Sequence, residues 1–338
     1  MMTRNLLVGI AFNAYEPPSA RGKEERMSEE SVEQMAFEVL ESVTELGYSA
    51  VVLPLQRSFL RFLDRMKKLN FDVLINLCEG FRGRPQLEAN VAAALELLDA
   101  PFTGNSSRTL ALCQDKYKTK AILNAHGLPT AKARLMTAAE EINDLRFPLF
   151  VKPNAEDASL GIHADSVVAD QESLLRQVDR LLRTYQQPVL VEEFIDGREF
   201  NVAVFDNHEL QALPVSEIDF SGMPASAPRI CSYEAKWFED HEFYSHTVPV
   251  CPAKIGEETR AKLQATALAA FRATSCRDYA RVDFRMDREG NAAILEVNPN
   301  PDISLNAGYA RALKAFGLDY KMFWHQLIEN ALQRKKAS

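Results

Sequence analysis

The sequence predicts an α/β protein in which a parallel-sheet domain is followed by two α+β units. Residues 5–98 alternate short apolar runs with segments whose apolar residues recur at helical spacing, the pattern of parallel strands covered by helices. From about residue 113 the regular alternation gives way to two smaller groups of strands and helices, and a β-hairpin is expected at 280–298. The composition is that of an ordinary globular protein, with 46% hydrophobic and 25% charged residues, and 338 residues suffice for two or three domains.

The first domain is predicted to cover residues 1–112. Its strands are expected at 5–12, 50–54 and 72–76, and its helices at 29–46, 57–69 and 86–98. A long polar loop is expected at 13–28. Ligands of open α/β sheets gather at the carboxyl ends of strands, so this loop could cover a site, and a solvated loop is the alternative.

Two further units are predicted at residues 113–193 and 194–338. The first of these is expected to contain helices at 115–126, 137–145 and 170–185 and strands at 148–152 and 188–193. The second is expected to contain strands at 199–205 and 209–215, an irregular stretch at 219–254, a helix at 256–274, the hairpin, and helices at 308–316 and 320–334.

Charge and cysteine usage favour small-molecule partners. A formal charge of −8 argues against nucleic acid and anionic membranes, which need a clustered positive surface. The sequence has no apolar run of about 18 residues and no segment typical of a signal peptide, and we expect a cytoplasmic protein. The five cysteines form no CxxC pair and the six histidines show no metal spacing, which favours reduced thiols and disfavours a zinc or iron site.

The hairpin ARVDFRMDREGNAAILEVNPNP, residues 280–301, carries the strongest chemical signal. A turn centred between Glu289 and Gly290 would set Asp283 opposite Glu296, and it would set Arg281 opposite Asn298. Two facing carboxylates repel unless a divalent cation lies between them, and Asn298 adds a neutral oxygen. This all-oxygen set predicts a magnesium site, whereas a buried ion pair of Arg281 with one acid is the structural alternative.

The chain resembles the ATP-grasp enzymes, and among them the D-alanine–D-alanine ligases and their relatives. The resemblance rests on the order of several motifs along nearly the whole chain. They are DKYKTK at 115–120, FPLFVKP at 147–153, VLVEEFIDGREF at 189–200, YEAKW at 233–237, and RVDF with LEVNPNP at the end. It implies a Rossmann-like N-terminal domain and two α+β subdomains that enclose ATP.

The resemblance also implies roles for single residues. Lys116 and Lys152 match lysines that contact the nucleotide phosphates, and Lys236 matches a mobile-loop lysine near the γ-phosphate. Residues matching the rest of the nucleotide site are Glu192, Glu193 and Ile195 at the adenine hinge, Glu199 at the ribose, Phe150 and Leu295 as apolar walls, and Ser159 and Gly161 in the phosphate-covering loop. Asp283, Glu296 and Asn298 match Mg²⁺ ligands, with Mn²⁺ as an alternative, and Arg281 matches the group that stabilises an oxyanion.

The substrate half departs from the family. Ala158 and Trp237 stand where the D-alanine ligases have a serine and a tyrosine, and Asp302 and Ala307 replace a glycine and a serine. Candidate substrate-binding residues are Glu16, Trp237, Asn300, Asp302 and Ser304. We therefore expect the nucleotide half to be retained and D-alanine to be a poor substrate.

The expected function is ATP-dependent ligation of a small carboxylate to an amine, such as amino acids or peptide-like metabolites, through an acyl phosphate. A true D-alanine–D-alanine ligase is the nearest alternative. Alternatives of other classes are a small-molecule kinase, which retention of Arg281 disfavours, and a non-catalytic nucleotide-binding module, which the complete metal set disfavours. The family resemblance also suggests a homodimer.

Overall fold

The computed structural model describes residues 6–14, 23–224 and 227–337, and within these it leaves out the side chains of 23–29 and 337. Three β-sheets follow one another along the chain. The first sheet has three strands, the central sheet four and the last sheet six. Within the described ranges no helix is long and apolar enough to span a membrane.

The first sheet is parallel and confirms the predicted α/β order. Its elements are β1 (Leu7–Asn13), α1 (Lys23–Glu45), β2 (Ser49–Leu55), α2 (Phe59–Leu69), β3 (Val73–Leu77) and α3 (Glu88–Leu97). The strand order is β2-β1-β3, with both neighbours parallel to β1. The prediction of a loop over all of 13–28 was wrong at its end, because α1 already begins at Lys23. The segment KEERMSEE consists mostly of good helix formers, which explains the earlier start.

The central sheet is antiparallel and follows two helices. Its elements are α4 (Ser107–Gln114), α5 (Lys116–Ala125), β4 (Ala133–Met136), β5 (Leu149–Pro153), β6 (Val167–Val168), α6 (Gln171–Tyr185) and β7 (Val189–Glu193). The predicted helix at 137–145 is absent from this described segment, and β4 was not predicted. The Gln171 side chain hydrogen-bonds the backbone N–H and C=O of Ile142. Ile142 and Leu145 are thereby packed into the core as an irregular segment.

The last sheet is antiparallel and contains the predicted hairpin. Its strands are β8 (Arg198–Asn207), β9 (Glu209–Ala212), β10 (Ser216–Asp219), β11 (Val248–Val250), β12 (Tyr279–Met286) and β13 (Ala292–Asn298). Its helices are α7 (Tyr233–Trp237), α8 (Glu242–Ser245), α9 (Glu257–Ala273), α10 (Gly308–Phe316) and α11 (Tyr320–Ala337). The strand order is β11-β10-β8-β12-β13, and β9 pairs with β8. The stretch 219–254, predicted to be irregular, thus holds two short helices and one strand.

The C-terminal helices pack on the N-terminal sheet. Phe323, Trp324 and Leu327 of α11 are fully buried in the same core as Phe12 of β1 and Val39 of α1. Burial of large apolar side chains across this boundary stabilises the two parts together. We propose that the first domain ends before α4, because the boundary predicted between residues 112 and 113 falls inside that helix.

Candidate active site

One cavity of about 890 Å³ lies where the three sheets meet. It is lined by residues that follow β1 and β3, by the loop after β5, by the end of β7, and by one face of the β12–β13 hairpin. Pockets of this size accommodate a small-molecule ligand. Every predicted site residue that the structure describes lines this cavity except Gly161.

The hairpin register agrees with the prediction at the site. Asp283 pairs with Glu296 and Arg281 pairs with Asn298. A β-bulge after Asp283 shifts the register by one residue, so that Phe284 pairs with Ile294. The turn is therefore centred one half-residue earlier than predicted, and the extra residue, Leu295, restores the expected pairing.

Arg281, Asp283 and Glu296 form one electrostatic unit. The Arg281 guanidinium donates two hydrogen bonds to Asp283, from Nε and Nη2, each 2.7 Å long. Burial raises the pKa of the Asp283 carboxyl, and Glu296 raises it further against the opposing effect of Arg281. The structural alternative, an Arg281 ion pair, is thus present, but it leaves a second carboxylate beside Asp283.

Lys116 lies at the N-terminus of α5 and reaches into the same group. Its Nζ is 3.0 Å from Asp157 Oδ1 and 3.5 Å from Glu296 Oε2, and it donates to the Glu156 carbonyl at 2.6 Å. The side chain is only 5% exposed. Burial would raise the pKa of Glu296, but Lys116 and Lys152 lower it below its ordinary value.

Glu192 is held by two buried lysines. Its carboxylate lies 2.9 Å from Lys152 Nζ and 2.7 Å from Lys120 Nζ. Burial opposes ionisation, but the two lysines lower the pKa of Glu192 to about 2. Lys152, which is predicted to contact phosphate, pairs with Glu192. Lys120 was not predicted, although its place four residues after Lys116 puts both on one face of α5.

Glu199 is paired with an arginine that the sequence analysis missed. Arg285 Nη2 lies 3.0 Å from Glu199 Oε2, and its guanidinium also donates to the carbonyls of Gly197 and Arg229. Its guanidinium carbon is 5.4 Å from the centre of the Phe220 ring. Strand alternation could have revealed it, because Arg281, Asp283 and Arg285 are two residues apart on one face of β12.

The loop at 154–161, which is predicted to cover the phosphates, contacts the segment that carries Lys236. Trp237 Nε1 donates to the Ala158 carbonyl at 3.1 Å, and Ser159 Oγ donates to the Cys231 carbonyl at 3.0 Å. Gly161 has φ +78°, and a Cβ there would lie 2.7 Å from Pro153 Cγ. Only glycine fits this turn without displacement. Lys236 lines the cavity, with Nζ 5.3 Å from the Trp237 ring.

Apolar side chains line the cavity beside Glu192. Phe150, Ile195 and Leu295 belong to this group, and Phe150 lies 6.3 Å from Phe194 between ring centres. Glu193 lies at the rim, where Arg146 binds its carboxylate at 3.0 Å. An apolar slot with carboxylate and backbone groups at its edge is suited to a planar base.

The predicted substrate residues line the cavity, except Glu16, which lies outside the described residues. Asn300 donates to Glu88 Oε1 at 2.8 Å and to the Cys78 carbonyl at 3.2 Å, so its amide joins the hairpin to the first domain. Asp302 Oδ1 accepts from the Ser304 backbone N–H at 2.9 Å.

Two acids of the first domain, Glu79 and Glu88, also line the cavity and were missed. Burial raises the pKa of Glu79 to about 7, and Asp302 contributes to this rise. The signal for Glu79 was its place just after β3, at the carboxyl end of a parallel strand.

The hairpin oxygens fit a divalent cation. The described residues contain no group of three or more His, Cys, Asp or Glu side chains that could hold a metal. The candidate set is two carboxylates and the amide of Asn298, whose Oδ1 accepts from Asn300 N–H at 2.9 Å. Two adjacent carboxylates with one amide oxygen suit Mg²⁺, which binds few protein ligands and completes its shell with water and phosphate.

Comparisons with known proteins show the family of the chain. Residues 121–329 match the family model described as D-ala D-ala ligase C-terminus. The chain is 32% identical to "Uncharacterized protein y4sG" of Sinorhizobium fredii, over 89% of this chain and 88% of that one. It is 30% identical to "D-alanine--D-alanine ligase B" of Chromobacterium violaceum, over 77% and 80%.

The fold matches as well. The D-alanine--D-alanine ligase from Bacillus anthracis, in a crystal structure complexed with ATP, aligns with a TM-score of 0.77 at 21% identity. The alignment covers 98% of this chain and 99% of that one. The chain therefore belongs to the D-alanine–D-alanine ligase family of ATP-grasp enzymes, and it is an ATP-dependent, carbon–nitrogen bond-forming ligase whose cofactors are ATP and Mg²⁺.

Proposed function

We propose that this ligase joins the carboxylate of an amino acid or small peptide-like substrate to an amine through an acyl phosphate, and that its substrate half is altered relative to the D-alanine ligases. The observation that carries the proposal is the arrangement of Arg281 beside Asp283 and Glu296, with Lys116 on the same group. A kinase would need the cations at the phosphates, but not an arginine next to the acyl carbon.

The proposed chemistry divides into two steps. A substrate carboxylate oxygen attacks the γ-phosphorus of ATP, and ADP leaves. The amine then attacks the acyl carbon, the phosphate leaves with the former carboxylate oxygen, and the amine loses a proton. The product is an amide.

The residues have separate tasks in this proposal. Lys116 and Lys236 offer positive charge to the phosphates, and Arg281 stabilises the oxyanion of the tetrahedral intermediate. Asp283, Glu296 and Asn298 would hold the cation, with Mn²⁺ as an alternative to Mg²⁺. When bound, the cation neutralises developing phosphate charge.

We assign the nucleotide base and the ribose to the other end of the cavity. Phe150, Ile195 and Leu295 form the walls around the base, and Glu193 follows Glu192 at the hinge. Glu199, which is oriented by its ion pair with Arg285, accepts hydrogen bonds from the ribose hydroxyls. The contacts of Trp237 with Ala158 and of Ser159 with Cys231 close the loop over the phosphates and exclude water.

Two observations support an altered substrate half. Trp237 stands where the D-alanine ligases have a tyrosine, and its only hydrogen-bond donor, the Nε1–H group, binds the Ala158 carbonyl. Asp302 adds a carboxylate near Arg281, where it contributes to the raised pKa of that guanidinium. Ser304 and Asn300 complete this side of the cavity.

The test incubates the protein with ATP, Mg²⁺ and pooled D- and L-amino acids, and it identifies the products by mass. A condensed amide with stoichiometric ADP and phosphate is expected. A phosphorylated amino acid with ADP and no free phosphate would make the protein a kinase, and absence of ADP release with every pool would contradict the ligase assignment.

A homodimer and a cytoplasmic location are further proposals. The five free thiols support a reducing compartment, and sedimentation would measure the assembly.

A further inference from the structure

We propose that Glu79, Glu88 and Asp302, which we call the acidic wall, bind a cationic side group of the substrate, so that the enzyme acts on a basic amino acid or another amine with a second positive charge. This inference rests on the ligase function proposed above, and it names the substrate class. All three residues line the cavity described above.

The acidic wall is built from two parts of the chain and is held in place. The Glu79 backbone N–H donates to Asn13 Oδ1 at 2.7 Å, and the Asn13 amide donates to the Gly80 carbonyl at 2.9 Å. Asp302 is fixed by the Ser304 N–H. These hydrogen bonds fix the Glu79 backbone and the Asp302 carboxylate, so less conformational freedom is lost when a ligand binds.

The wall offers acceptor oxygens that the described chain leaves unused. Glu88 is only 8% exposed, yet among described residues it receives a single hydrogen bond, from Asn300 to Oε1. The Glu79 carboxylate has no hydrogen bond or ion pair within the described ranges, and the residue is partly buried. A bound cation would give both carboxylates a further partner and offset the desolvation of Glu88.

Two cations of the cavity are paired with acids outside the wall. Lys116 is paired with Asp157 and Glu296, and Arg281 is paired with Asp283. Lys236 lowers the pKa of Glu79, but burial, Asp302 and Asp157 together raise it to about 7. Bound ATP would draw Lys236 further toward the phosphates, because they carry several negative charges.

The number of carboxylates favours a substrate with more than an α-ammonium group. One α-ammonium could contact one or two of the three acids, whereas a second ammonium or a guanidinium could contact the remainder. A substrate carboxylate beside Asp302 would be repelled. The wall therefore selects lysine-like and ornithine-like molecules over neutral molecules of the same shape.

The decisive measurement is calorimetric binding with Mg²⁺ and a non-hydrolysable ATP analogue. The matched probes are lysine against norleucine and ornithine against norvaline, each as both enantiomers, since each pair differs only by the terminal ammonium. At least one basic probe is expected to bind at least about tenfold more tightly than its neutral partner. Equal affinities, or no binding of any basic probe, would overturn the proposal.

Variants locate the effect on the wall. Glu79→Gln and Asp302→Asn should each reduce the ratio of basic to neutral affinity at least about threefold. Glu289→Gln is the control, because it removes one charge from an exposed turn outside the cavity. Unfolding temperature and binding of the ATP analogue verify that each variant is folded. An unchanged ratio in both folded variants would overturn the assignment to the wall.

The product assay and the binding assay together distinguish failure of the ligase proposal from failure of the acidic-wall proposal. If no condensed product forms with any amine while lysine or ornithine still binds selectively, the wall is a cation site and the proposed ligation is wrong. If product forms equally from basic and neutral amines, the ligation holds and the wall proposal is wrong.

Discussion

Replacing Glu192 with glutamine is a sharp test of the electrostatics beneath the nucleotide site. Glu192 is 2% exposed and separates Lys120 from Lys152, which are each about 5% exposed. Glutamine has nearly the same shape but no charge, so both ammonium groups would be left buried without a counter-charge. We expect a large loss of stability, because removing one partner of a buried pair costs far more than the pair contributes.

The structure gives the size of the effect. The pKa of Glu192 falls from its ordinary 4.5 to about 2, and at about 1.4 kcal/mol per pKa unit this corresponds to about 3 kcal/mol. That agrees with the ~3–5 kcal/mol typical of a broken buried pair. For a chain of 338 residues unfolding as one unit, an unfolding entropy of roughly 2.1 cal/mol/K per residue converts this into roughly 4–7 °C.

Calorimetric unfolding at pH 7 measures the difference, with Glu193→Gln as the matched control. Glu193 is the next residue and pairs with Arg146, whose side chain is 88% exposed, so its substitution should cost less than about 1 kcal/mol. The deficit of Glu192→Gln should also shrink as pH rises from 7 to 9.5, because burial already lowers the pKa of Lys120, and without its counter-charge this lysine binds fewer protons than in the unfolded chain. Equal stability of the two variants, or a deficit independent of pH, would refute the buried triad.

The remaining predictions concern binding and turnover. Glu296→Ala should lower ATP turnover more than about 100-fold with the fold intact, because losing a direct ligand of the cation costs more than losing a residue that only supports the ligands. ADP release near the wild-type rate at equal Mg²⁺ would contradict the proposed cation site. Arg285→Lys should raise KM for ATP about 3- to 10-fold with little change in kcat, because the fork that aims Glu199 is lost; an unchanged KM would count against that role. Affinity for a basic probe should rise from pH 6 to pH 8 as Glu79, with its pKa of about 7, ionises, and Glu79→Gln should weaken the pH dependence measured by calorimetry; Glu88 keeps a share of it, because burial raises its pKa as well. D-alanine alone should yield little dipeptide, because Trp237 spends its donor on Ala158; a kcat/KM on the order of 10⁴ M⁻¹s⁻¹ would show otherwise.

The sequence was most informative where local rules decide the structure. Strand alternation and a turn placed the Asp283–Glu296 pair correctly, because register fixes which side chains face each other. The bulge that supports this register was not predicted, since a single extra residue leaves no periodicity signal. The helix expected at 137–145 failed because Gln171, distant in sequence, supplies hydrogen bonds to Ile142.

The partners of predicted residues were harder to derive. Glu192 and Glu199 were expected to face the nucleotide, but Lys120 and Arg285, which hold them, come from another helix and another strand. Glu79 joins Asp302 only because the first domain closes against the hairpin loop. Helix spacing and strand alternation can place Lys120 and Arg285 on the right faces, but which acid each of them meets depends on tertiary packing, which no short-range pattern encodes.

Oxygen transfer tests the proposed acyl-phosphate route most directly. Substrates whose carboxylates carry ¹⁸O in both positions are incubated with ATP and Mg²⁺, and the released phosphate is analysed by mass. The account predicts one ¹⁸O in each phosphate and one retained in the amide, because the attacking carboxylate oxygen leaves with phosphorus. Amide formation with unlabelled phosphate would contradict an acyl phosphate and with it the role given to Arg281.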